Sequence, residues 1–137
     1  MAAFNKFNQF VEDLAEGVHT CSTDQFTIAL CAAANAPVAT NSVLANLTEI
    51  SYTNLSSRNL TTSTSGQTSG TFTQLFNDLV LTASGAVATF RYVVIYNNTP
   101  TSPLDPLVGW YDTGGDVTLG SGDTYTIDFT TSTFTIA

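Results

Sequence analysis

The groups with which this chain could do chemistry are few: one histidine, two cysteines and eleven acidic residues against three basic ones. Serine, His19 and aspartate are the residue types of a nucleophilic hydrolase, in which a carboxylate-oriented imidazole activates a hydroxyl. The frame for that chemistry is missing. No G-x-S-x-G elbow is present, and His19 has no second imidazole or activated thiol near it in sequence. A lone histidine after a helical segment is expected to cap that segment or lie at the surface. Asp105, Asp112, Asp116, Asp123 and Asp128 would supply the carboxylate pair of a glycosidase. Each, however, stands beside proline or glycine in a turn or on the wet face of a strand, where aspartate has the simpler task of bonding local backbone. Asp112-Thr113-Gly114-Gly115-Asp116 offers two carboxylates on one turn to a calcium ion, without the ligand spacing of an EF-hand. Cys21 and Cys31, with a single histidine, assemble no zinc constellation. The extended run Phe26-Thr27-Ile28-Ala29-Leu30 between them prevents the fold-back that a disulfide needs. They read as structural thiols. Trp110, Tyr111 and Tyr125 would form a sugar-binding platform if exposed together, and core rings otherwise. The sequence therefore predicts no enzyme, no metal and no cofactor.

The elements that position these groups are mostly strands. Residues 88–96 alternate, with Ala88, Phe90, Tyr92, Val94 and Tyr96 on one face and Thr89, Arg91, Val93 and Ile95 on the other, the period of a strand. Pro100, Pro103 and Pro106 then remove three backbone donors and extend the residues before them, giving a stiff crossing outside any ladder. Leu107, Val108, Trp110 and Tyr111 restart a strand that runs to a glycine turn. A short strand over 116–119, a Gly120-Ser121-Gly122-Asp123 turn, an alternating Tyr125, Ile127, Phe129 strand and a last one at Phe134 and Ile136 complete the third. Upstream, Phe26 to Cys31 is a strand, and 31–51 is a connector with one helical turn around Val43 to Leu47. Residues 51–70 form a long polar excursion with an edge strand over 58–64. Residues 71–82 return to strand, with a turn or bulge at Asn77-Asp78.

The one helix expected is N-terminal, over 3–17. Phe4, Phe7, Phe10, Val11, Leu14, Ala15 and Val18 share one face at 100° per residue, with polar residues opposite, and Gly17 is placed to end it. That face either plugs the chain's own sheet or docks on a neighbouring subunit. Seven or eight strands and one helix give a mainly β chain, an antiparallel β-sandwich of jelly-roll type, as a single domain over 1–137.

Composition limits partners. A net charge of −8, with only Lys6, Arg58 and Arg91 basic, does not suit nucleic acid, because neutralising phosphates takes clustered cations. No stretch approaches the roughly 20 apolar residues of a membrane span, and no signal-peptide pattern opens the chain, so synthesis in the cytoplasm is expected. With 24 threonines and 10% charged residues, the surface is built on hydroxyls and amides, which suit strands.

The opening FNKFNQFVEDLAEGVH, the connector APVATNSVLANLTEIS, and above all FRYVVIYNNTPTSPLDPLVGWYDTG with DVTLGSGDTYTIDF resemble a group of small proteins encoded in tailed-bacteriophage genomes among virion structural genes. The likeness covers roughly two thirds of the chain, is most specific in the proline crossing, and departs at 20–36 and 56–70. It implies a head-decoration or cement protein, a minor capsid component made in the host cytoplasm and carried on the capsid surface. It would bind the major capsid protein as a homo-oligomer, trimer or dimer, with neither nucleic acid nor membrane as partner. A tail or fibre component, or a carbohydrate-binding sandwich module, is the alternative. The contact residues expected are the helix face Phe4, Phe7, Phe10, Val11 and Leu14, with Arg58 and the crossing prolines Pro100, Pro103 and Pro106.

Overall fold

A computed structural model describes residues 3–130 and 132–137. The chain is mainly β, with antiparallel pairing throughout and a single α-helix near the N-terminus. The order is β1 (Asn5–Lys6), α1 (Asn8–Ala15), β2 (Phe26–Cys31), two 3-10 turns (Ala33–Asn35 and Leu44–Asn46), β3 (Thr62–Thr68), β4 (Thr71–Phe76), β5 (Leu79–Thr82), β6 (Phe90–Asn97), β7 (Leu107–Val117), β8 (Thr124–Ile127) and β9 (Phe134–Ile136). Three sheets result, in the orders β1-β7-β6-β2, β3-β4-β9 and β5-β8.

The four-stranded sheet is buried on both faces, which is why all six residues of β2 are inaccessible. Its inner face carries Phe26, Ile28, Leu30, Val93, Ile95 and Tyr111 into the main core. Phe76, Leu81, Ile127 and Phe134 of the two smaller sheets meet them there. This is a sandwich-like arrangement, one continuous sheet packed against a divided layer. The outer face carries Ala29, Cys31, Val94, Tyr96 and Leu107, and the connector covers it with Leu44 and Leu47. Backbone bonds tie that cover to the proline crossing, Leu44 N–H to Asp105 at 2.9 Å and Leu107 N–H to Ser42 at 3.0 Å. A connector read as a loop thus covers a second core.

Four expectations are corrected. The helix does not span 3–17: residues 5–6 pair with β7, opposite Trp110 and Gly109, and Phe7, at φ −75° and ψ 145°, is the extended N-cap. Sheet pairing wins over helical periodicity in this segment. The C-terminal end follows expectation, since Gly17 has φ +78° and the Val18 and Gly17 amides bond back to Asp13 and Leu14 in a Schellman arrangement. The edge strand of the polar excursion is β3, at 62–68, not 58–64. Residues 58–60 instead close on β2, with Ile28 N–H bonding to Arg58 and Leu60 N–H to Phe26 at 2.9 Å each, and Leu60 is buried.

No separate strand occupies 116–119, because β7 continues to Val117. Tyr92 pairs with Asp112 and Phe90 with Val117, so residues 113–116 stand out as a bulge opposite Arg91. Gly114, at φ +89°, and the Thr113 hydroxyl, donating to Gly115 or Arg91 carbonyls at 2.7 and 2.8 Å, shape that bulge. The same irregularity puts Phe90 in the main core with Val93, where plain alternation puts it with Tyr92.

Candidate contact surface beside the helix and the β9 edge

Three aromatic residues spaced by three would form one stripe on a helix; here the extended start divides them. Phe4, before β1, lies on β7 at Gly109, where an added Cβ would meet the Phe4 ring at 2.3 Å. Only glycine leaves room for that approach. The Phe4 ring meets Tyr111 edge-on at 5.7 Å and stacks on Phe134 at 6.0 Å. Phe7 turns to the other face of the sheet, fully buried, with its ring 4.6 Å from Trp110. Phe10 returns to the main core, 5.2 Å from Phe134.

Between α1 and β9 these rings floor an open groove of about 530 Å³, bounded by Phe4, Phe10, Val11 and Leu14 on one side and residues 132–136 on the other. Val11 is 51% exposed and Ile136 42%, and Lys6 reaches the rim. An apolar trough of this kind is conspicuous on a hydroxyl-rich surface, because solvent contact with it carries a free-energy cost that a partner would remove. Four of the expected contact residues, Phe4, Phe10, Val11 and Leu14, therefore gather at one site, and Phe7 stands apart from them as core.

The other expected contacts lie elsewhere. The Arg58 guanidinium donates to the Ile28 carbonyl and stacks 3.6 Å over the Tyr52 ring, pinning the polar excursion to β2. Pro106 is buried and its carbonyl accepts from Asn97 N–H at 2.9 Å. Pro100 and Pro103 are half-buried. Near the crossing, Leu104, 62% exposed, borders a second depression of about 360 Å³ with Leu44, Leu47 and Asp105.

The polar candidates are absorbed into structure. His19 is buried, correcting its expected surface place. Its Nδ1 accepts from the Asn97 side-chain amide at 3.0 Å, which leaves the proton on Nε2. The same amide donates to Asp24 at 2.7 Å. Burial pulls the His19 pKa down, against Asp13 and Asp24, which push it up. No serine hydroxyl bonds to it among the described residues. The Asp112 carboxylate is held by Arg91 at 2.9 and 3.2 Å and by Gly114 N–H at 2.8 Å. That pairing keeps its carboxyl below the usual range. Trp110 belongs to the outer core with Phe7, whereas Tyr111 and Tyr125 pack with the main core. The three rings thus share no platform, as neighbours on β7 point to opposite faces. Cys31 is buried in β2, and burial pushes its thiol up to about 11.

Sequence reasoning missed the β9 side of the groove. The sequence marks Phe134 and Ile136 as a terminal strand, but only the fold brings residues 132–136 against α1. Comparison with family models, curated proteins and solved structures finds no match.

Proposed function

We propose that this chain is a head-decoration, or cement, protein of a tailed-bacteriophage virion. It binds the outside of the assembled major-capsid lattice as a small homo-oligomer and stabilises it. The observation that carries the assembly role is the apolar groove between α1 and β9, on a chain of net charge −8. The virion setting rests on the resemblance of the opening, the connector and the proline crossing to phage structural proteins. A cement needs a stiff body and a contact face. Antiparallel sheets sharing one core, with the outer face covered by a tied-down connector, supply the body; the groove supplies the face.

Stabilisation follows from mass action, because a ligand of the assembled lattice that does not bind free subunits raises resistance to disruption with occupancy. Repetition at many equivalent seams, and an oligomer that ties several subunits at once, multiply a modest contact. The test compares particles with and without this chain under heating. A higher rupture temperature for the decorated particles, with density for the chain over the capsid lattice, is the expected result. Equal rupture temperatures with density only on the tail would overturn the cement role and favour a tail component. Saturable glycan binding by the isolated protein would favour the sugar-binding module.

A further inference from the structure

A groove that runs across the face of a strand is lined by alternate residues, because successive side chains point to opposite sides. The groove beside α1 is lined by all three residues of β9, 134–136, with 132 and 133 just before them, so it runs along the backbone edge of β9. That edge is open among the described residues: β9 ends its sheet and pairs there with β4 alone. Other edges are treated differently. Residues 58–60 cover β2, and the outer strand β3 presents Thr-Ser-Thr-Ser-Gly-Gln-Thr, a polar surface that resists apolar pairing. Of these three edges, the β9 side joins unpaired backbone groups to an apolar trough among the described residues.

The charge at this site is equally particular. Of the three cations, Arg91 is paired with Asp112 and Arg58 is stacked on Tyr52 and bonded to Ile28. The Lys6 ammonium has no hydrogen bond or ion pair among the described residues, and Lys6 stands at the rim of the groove. In a chain of net charge −8, this ammonium offers an acidic partner a complementary charge.

We infer that the groove takes an extended segment of a partner protein, added as a strand along β9, with alternate apolar side chains seated on Phe4, Phe10 and Leu14 and a carboxylate on Lys6. Main-chain bonds to β9 supply affinity and the trough selects the side chains. This rests on the groove being the contact surface, and it adds the partner's conformation and charge.

The probe is a synthetic seven-residue peptide of alternating valine and threonine ending in aspartate, titrated against the full chain and followed by amide exchange of residues 132–136. Expected are saturable binding and slowed exchange at β9. A lysine-ended counterpart should bind at least about tenfold more weakly, and Lys6→Glu, at an exposed position, should reverse that preference. N-methylation of alternate amides along the peptide edge that faces β9 should abolish binding, whereas methylation along the other edge should not. Equal binding of both methylated forms would overturn strand addition. Equal binding of the two charged forms would overturn the role of Lys6. If no peptide binds, or if the groove is closed in solution by a second copy that Val11→Asp releases, the inference fails. The cement reading is judged separately, by the heating of particles.

Discussion

Phe7 and Val11 lie four apart and share one face if residues 4–15 form a single helix, so the sequence alone treats them as equivalent. The structure separates them. Phe7 has no exposed surface and its ring lies 4.6 Å from Trp110; Val11 is 51% exposed at the rim of the groove. Phe7→Ala removes a fully buried ring and leaves a cavity between Trp110 and Leu107, a loss of about 3–5 kcal/mol by the behaviour of other core phenylalanines. A domain of this size gains unfolding entropy in proportion to length, so each kcal/mol moves the melting temperature by about 3.5 °C and the expected fall is about 10–17 °C. Val11→Asp places its carboxylate in water and should change stability by less than about 0.5 kcal/mol, while abolishing whatever docks in the groove. Thermal melts by circular dichroism, paired with a binding or particle-occupancy assay, read both. A Phe7→Ala protein melting within about 3 °C of the parent, or a Val11→Asp protein falling as far as Phe7→Ala, would refute the division of these residues into core and contact.

Two further outcomes follow. Gly109→Ala brings a Cβ to 2.3 Å from the Phe4 ring and 2.7 Å from the Asn5 carbonyl; it should cost about 1–3 kcal/mol and free β1, seen as faster exchange of the Asn5 and Lys6 amides, and unchanged exchange there would contradict the close packing. The His19 pKa is lowered from 6.5 on folding by burial, so the unfolded chain binds the extra proton first. The associated stability is present above about pH 6.5 and is lost as pH falls toward the folded value. Protonation also sets an Nδ1 proton against the Asn97 amide that now donates to it. His19→Gln should flatten the stability profile just below pH 6.5, and a profile that keeps its full slope would locate the titration elsewhere.

The sequence by itself determined the class and much of the local order. Alternating residues wrote β2, β6 and β8 into the chain because successive side chains of a strand point to opposite faces. Asn77-Asp78 marked the break between β4 and β5, and Gly17 the end of the helix, because φ +78° is open to glycine without strain. Four residues that line the groove, Phe4, Phe10, Val11 and Leu14, were legible as an apolar face. What only the tertiary structure decided is where the chain pairs with distant partners. Residues 5–6 are extended because β7 offers them a sheet edge more than 100 positions away, and this moved Phe7 into the core. His19 is buried against Phe10 and Phe26, with its Nδ1 bonded by Asn97, on β6, from 78 positions away. The groove itself has no local signal: its two walls, residues 4–14 and 132–136, come from opposite ends of the chain, and periodicity reports only on neighbours.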